Sequence, residues 1–191
     1  MSEIIVKSAK EEDLDQIINL QQTNLKRNVN LEKRKKDGYV TLETSEDVLQ
    51  DMIKNELVIG AYENDKLVAY LICLEKARLD VNLDALTELQ KISKQIKING
   101  KQLNDTKYCA LESICIDKEY RSKGILPKLY EYASKQLGPK YDYAIGFIDQ
   151  KNPRSYHSHV EKLGFLTIGT FDDSINKATW NIVAKPLRAI G

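Results

Sequence analysis

The run ICIDKEYRSKGILPKLYEYA, residues 114–133, joins an apolar stretch to a helix-spaced one through a basic, glycine-containing turn. This arrangement suits anion chemistry. The first N–H groups of a helix lack partners inside it, and the helix dipole favours negative charge at that end. Ser122, Lys123, Gly124, Ile125 and Leu126 can each offer such a donor. Pro127 cannot, but it falls in the first turn, where proline is tolerated. Gly124 has no Cβ and lets a phosphate come close to the backbone. Arg121 and Lys123 add positive charge. The segment can therefore cradle a pyrophosphate, although it has fewer glycines than a P-loop and no Gly-Lys-Ser/Thr. The plain alternative is an ordinary strand-to-helix connection.

A second stretch, NPRSYHSHVEKL (152–163), reads as a helix. Asn152 suits the N-cap and Pro153 the first helical position, and Gly164 ends the helix. Asn152, Ser155, Tyr156 and His159 then fall at i, i+3, i+4 and i+7, on one face. The chain has only two histidines, which excludes a His-rich metal site, and no metal is expected. Cys73, Cys109 and Cys115 lack metal-ligand spacing, and an odd count makes a poor disulfide framework. They are expected to be reduced, buried thiols of a cytoplasmic protein. Cys115 lies in an apolar run with no histidine near it in sequence, a setting that leaves a thiol inert rather than nucleophilic.

The elements that must position these residues are legible. EIIVKSA (3–9) is expected as a first strand. Glu11, Glu12 and Asp13 open a helix carrying Leu14, Ile17, Ile18 and Leu25, with acidic residues at its positive end. Residues 26–44 read as polar and irregular. Thr44 or Ser45 can cap a second helix with Val48, Leu49, Met52 and Ile53 on its apolar face. LVIGAY (57–62) and KLVAYLICLE (66–75) read as a hairpin. Leu83, Leu86, Leu89, Ile92 and Ile96 have helical spacing and suggest an inserted helix, followed by turn chemistry at 98–105. YCALESICI (108–116) is a strand, the helix after the basic turn runs to about Leu137, and YAIGFI (143–148) is a strand. LTIGTF (166–171) and ATWNIVA (178–184) close the chain as a hairpin. The sum is one α/β domain over 1–191, with an inserted segment at about 79–104.

The composition, 42% hydrophobic and 30% charged, is that of a globular chain. A net charge of +1 gives no general case for nucleic acid or an acidic membrane, and the basic run 26–36 reads as a solvated face. No apolar stretch approaches the ~20 residues of a membrane span.

The run Ile116-Asp117-x-x-Tyr120-Arg121-x-Lys123-Gly124-Ile125 resembles the acetyl-CoA motif of the GNAT superfamily of N-acetyltransferases, Val-x-Pro-x-Tyr-Arg-Gly-x-Gly-x-Gly/Ala. IIVKSAKEEDLDQI resembles the superfamily's first strand and helix. NPRSYHSHVEKLGF resembles its late helix, Asn-x-x-Ala-x-x-x-Tyr-x-x-x-Gly-Phe. Two departures stand out: Leu126 replaces the motif's Gly or Ala, and the late helix holds one extra residue before Gly164-Phe165. The resemblance implies an acyl-CoA N-acyltransferase fold, a central mixed, mostly antiparallel twisted sheet flanked by helices. It also implies acetyl-CoA as co-substrate, with direct attack of a primary amine on the thioester.

Within that resemblance, an ammonium with a pKa of about 10.4 needs a base, directly or through water. Glu112 is the candidate, since alternation puts it on the strand face of Ile114 and Ile116, and partial burial would raise its pKa. The backbone of Ile114, Cys115 and Ile116 would pair with the pantetheine arm like an added strand. The proton for the leaving thiolate would come from Tyr156 or His159. Asn152 would cap its helix and contact pantetheine, beside Ser155. The acceptor class is a small-molecule or peptide amine, and a homodimer is an analogy only. A rival reading keeps the fold as a non-catalytic acyl-CoA sensor, with Leu126 as its support.

Overall fold

Alternating apolar residues and short polar turns assemble a seven-stranded sheet in the computed structural model, which describes residues 3–75, 91–173 and 177–187. The strands are β1 (Ile4–Ser8), β2 (Val58–Glu63), β3 (Lys66–Glu75), β6 (Tyr108–Ile116), β7 (Tyr143–Asp149), β8 (Leu166–Asp173) and β9 (Ala178–Pro186), in the order β1-β2-β3-β6-β7-β9-β8. β6 and β7 pair in parallel, while the pairs β1–β2, β2–β3, β7–β9 and β8–β9 are antiparallel. The sheet is thus mixed and mostly antiparallel, as the resemblance implies. A short ladder of β4 (Lys97–Ile98) and β5 (Lys101–Gln102) turns through Asn99 and Gly100, both at positive φ (48° and 80°). Two central residues of that hand are what a two-residue hairpin turn requires.

The chain forms two compact units. The first comprises Met1–Cys73 and Glu112–Ser134. A 3-10 turn at Glu11–Asp13 leads into α1 (Leu14–Asn24), which buries Ile17 and Leu20, and α3 (Glu46–Lys54) buries Leu49, Met52 and Ile53. Helix α4 (Ile125–Leu137) buries Ile125 and Leu129, and its Tyr132 hydroxyl accepts the Ser8 N–H of β1 at 3.2 Å. Tyr62 donates to the buried Asp13 carboxylate at 2.7 Å. Gly60 cannot be replaced cheaply, because a Cβ there would lie 2.4 Å from the Tyr62 hydroxyl.

The second unit comprises Leu74–Leu111 and Lys135–Gly191. Its core includes Ile145, Phe165, Trp180, Ile182 and Val183, and Trp180 Nε1 donates to the buried Asp173 carboxylate at 3.1 Å.

Two expectations are corrected. Residues 26–44 are not wholly irregular, because Leu31–Asp37 form a helix, α2. It buries no residue, and Leu31 is 72% exposed. Its caps hold it instead: Asn30 Oδ1 accepts the Lys33 N–H at 2.9 Å, and Gly38 closes it at φ 74°. The late helix is α-helical only over Pro153–Tyr156 (α5) and continues as a π-turn over His157–Lys162. The helix inferred at 83–96 lies mostly outside the described residues. Among the described residues, no helix is long and apolar enough to cross a membrane.

Candidate active site

Most of the residues singled out for chemistry fall in the first unit. Along β6, Ser113 and Cys115 are buried while Glu112, Ile114 and Ile116 are half-buried, so the predicted alternation holds. The register of β6 with β7 runs from Tyr108↔Tyr143 to Leu111↔Gly146. Glu112 is the first residue beyond it. Its Oε1 accepts a hydrogen bond from the Thr44 hydroxyl at 2.6 Å. Its Oε2 is shielded from solvent and has no hydrogen-bond partner among the described residues. Burial pushes the carboxyl pKa up to about 7, while the Thr44 hydrogen bond acts in the opposite direction. A carboxylate in that state can accept a proton near neutral pH.

After Ile116, Asp117 caps a 3-10 turn at Lys118–Tyr120 by accepting the Glu119 N–H at 3.0 Å. The chain then reverses hand twice: Ser122 has φ 62° and Gly124 has φ 76°. Bends of this kind make successive N–H groups converge into an anion-binding concavity. Ser122, Lys123 and Gly124 are exposed, and α4 starts at the buried Ile125. A Cβ added to Gly124 would meet nothing within 4 Å, so the glycine faces open space. Leu126 is half-buried. Lys123 Nζ sits 4.8 Å from the centroid of the Tyr120 ring.

Arg121 is used differently from the expectation. Its Nε donates to Ile116 O at 2.9 Å, one terminal nitrogen to Asp37 O at 2.8 Å and the other to Asn24 Oδ1 at 2.6 Å. Three of its five N–H groups are therefore committed to tying the loop to α1 and the end of α2. The guanidinium also forms part of the wall of a polar cavity of about 410 Å³, with Asn19, Thr23, Lys33, Asp37 and Lys118.

Cys115 is not a nucleophile. It is 4% exposed, its Sγ donates to Leu20 O at 3.7 Å, and burial pushes its pKa up to about 12. Cys73 and Cys109 are likewise buried and stand outside any disulfide.

The late-helix residues belong to the second unit. Asn152 is the N-cap, as predicted: its Oδ1 accepts the Ser155 N–H at 3.2 Å, and Pro153 follows at the first helical position. The Tyr156 hydroxyl lies 3.2 Å from Thr167 Oγ1. His159 is 6% exposed, with Nδ1 2.8 Å from Ser155 O and its ring packed edge-on against Phe165. A carbonyl can only accept, so Nδ1 carries the proton. Burial lowers the imidazole pKa, although the Ser155 hydrogen bond opposes this. Burial therefore favours the neutral imidazole at His159.

Sequence reasoning misses Thr44 as the partner of the carboxylate, and Gln21 as the residue that holds Thr44. In sequence Thr44 reads only as a helix cap, and 68 positions separate it from Glu112. No spacing rule links residues so far apart.

A family model for the acetyltransferase (GNAT) family matches residues 25–165. The chain belongs to the GNAT family of acetyltransferases. Solved structures of GNAT proteins share its fold over nearly the whole chain. The ribosomal-protein-S18-alanine N-acetyltransferase of Escherichia coli is 16% identical, with 99% of this chain and 97% of that one covered and a TM-score of 0.60. PaiA N-acetyltransferase of Thermoplasma acidophilum, in complex with coenzyme A, is 17% identical, with 96% and 99% covered and a TM-score of 0.61. A chain of the NatC complex bound to Gag peptide and CoA is 16% identical, with 98% and 100% covered and a TM-score of 0.66. No curated protein sequence is similar enough to match.

Proposed function

We propose that this GNAT protein is an acetyl-CoA-dependent N-acetyltransferase that moves an acetyl group to a primary amine by direct attack. The observation that carries the reading is the Glu112 carboxylate, held at a pKa of about 7 on the strand that feeds the Arg121–Leu126 loop. Acetyl-CoA would supply the activated thioester. GNAT relatives solved with coenzyme A support it as the co-substrate.

Each residue then has a task. Glu112 accepts the proton of the attacking ammonium, directly or through water. The N–H groups of Ser122, Lys123, Gly124, Ile125 and Leu126 hold the pyrophosphate. Lys123 contributes charge, and Arg121 fixes the loop as well as adding to the field. The backbone of Ile114, Cys115 and Ile116, beyond the β7 register, takes the pantetheine arm. Asn152 and Ser155 shape the start of α5. Tyr156 is the better candidate for protonating the thiolate, because a neutral His159 has already given its one ring proton to Ser155 O. Stretch 26–44 and the insertion at about 79–104 shape the acceptor side of one domain spanning 1–191. The polar cavity walled partly by Asn28, Asn30 and Lys33 supports the former. The acceptor is a small-molecule or peptide amine, and buried thiols outside disulfides suit a cytoplasmic setting.

Calorimetric titration with acetyl-CoA, and with CoA for comparison, tests the reading. Micromolar binding followed by acetylation in a screen of amines is the expected result. Binding without transfer to any amine would make the protein an acyl-CoA sensor. No binding of either ligand would mean that Leu126 has closed the cradle.

A further inference from the structure

We infer that Thr44 is a positioning residue for Glu112, and that Gln21 holds Thr44 in that role. The inference rests on the reading of Glu112 as the general base. Gln21 and Thr44 are 1% and 3% exposed. Gln21, on α1, grips the Thr44 backbone at both polar groups: its Nε2 donates to Thr44 O at 2.9 Å, and its Oε1 accepts from Thr44 N at 3.0 Å. This two-point contact fixes the orientation of the Gln21 amide and of the Thr44 peptide together. Thr44 immediately precedes Ser45, the N-cap of α3, yet its hydroxyl takes no part in the cap. It donates to Glu112 Oε1 at 2.6 Å instead.

The direction of that bond comes from chemistry. An ionised carboxylate only accepts, so the hydroxyl proton points at Oε1. A hydrogen bond to a charged acceptor is stronger than a neutral one, and this one favours the ionised form. With Oε1 occupied, Oε2, which has no hydrogen-bond partner among the described residues, keeps its lone pairs for a proton. Thr44 thus does two things. It selects which oxygen works, and it keeps the buried carboxyl ionisable near neutral pH.

Other groups do not supply this balance. Burial and the Thr44 bond are the two causes of the Glu112 shift. Arg121 and Asp117 act on Cys115 and are not among the causes at Glu112. Tyr70 on β3 interacts with Cys115 on β6 and also feels Glu112. Burial raises both of their pKa values, so both stay neutral through the working range.

The test is a carbon-13 carboxyl NMR titration of the ligand-free protein, with the Glu112 signal assigned by its loss in Glu112→Gln. Thr44→Val keeps the shape and removes the hydroxyl, Thr44→Ala is a second variant should Thr44→Val fold poorly, and Thr44→Ser keeps the donor. The Glu112 titration is expected to move up by about one pH unit or more in Thr44→Val and Thr44→Ala, the scale of a lost bond to a charged acceptor. Thr44→Ser should leave it close to wild type. An unchanged titration in a folded variant lacking the hydroxyl overturns the inference.

A second arm separates this outcome from failure of the base assignment. Thiol release from acetyl-CoA is followed against pH, with a mixture of unprotected peptides as acceptor. If its acidic limb moves with the carboxyl, both assignments stand. If the carboxyl moves and the limb does not, the Thr44 link stands and Glu112 is not the base.

Discussion

A carboxyl that burial holds near pH 7 weakens the folded state above that pH. The folded pKa of Glu112, about 7, exceeds its ordinary value of 4.5, so the native protein binds this proton more tightly than the unfolded chain does. Its contribution to stability is therefore fully present below about pH 4.5 and is lost as pH rises through about 7. Glu112→Gln removes the ionisation. Thermal unfolding is expected to show the variant gaining Tm over wild type at pH 8, by roughly 2–4 °C per kcal/mol, with the gain shrinking at pH 5. The same substitution should lower kcat/KM by about 10²-fold or more, the usual contribution of a general base. A variant equally fast, or a Tm gain that ignores pH, would remove Glu112 from its role. Much of this residue is legible in the sequence, because alternation along 108–116 puts it on the right face. The Thr44 hydroxyl is not. A long-range side-chain bond leaves no periodic trace, and a threonine ahead of a helix reads first as a cap.

Among the elements, the loop into α4 and the start of α5 make separate claims. Gly124→Ala puts a Cβ on a backbone at φ 76°, which costs about 1–2 kcal/mol of stability. It also fills the open space in front of the glycine, so acetyl-CoA affinity should fall at least tenfold by calorimetry while the protein stays folded. Intact affinity would mean that the phosphates bind elsewhere. Asn152→Ala removes the acceptor for the Ser155 N–H and is expected to cost about 1 kcal/mol in denaturant unfolding. Strands and their hairpins read well from sequence, since their apolar runs end at clear turn residues such as Asn64 and Asp65. Helix α2 escapes that reading for a physical reason: it has no apolar face, and periodicity sees only helices that bury one. Its Asn30 and Gly38 caps are the available signal. Residue type assigns Arg121 to phosphate, whereas its side chain spends most of its donors on Ile116, Asp37 and Asn24. Type alone does not reveal that competition.

For the molecule as a whole, the three cysteines offer a simple check on the packing of both units. Cys73, Cys109 and Cys115 are each no more than 4% exposed. A thiol reagent should label none of them in the native protein and all of them after denaturation, and fast labelling of the native state would contradict the packing described. The family is readable at this scale because strand order, basic turn and late helix recur in sequence. Acceptor identity is not, because a shared scaffold does not fix its substrate. The π-turn at His157–Lys162 has a further consequence. A wider turn is how a helix stores a surplus residue without disturbing the chain beyond it, and this stretch carries one more residue than the GNAT pattern. Removing Ser158 should let the segment rewind as a regular helix, leaving Phe165 and the β8–β9 register where they are. The bulge is then a reversible insertion, a place where the chain can change length by one residue and keep its fold.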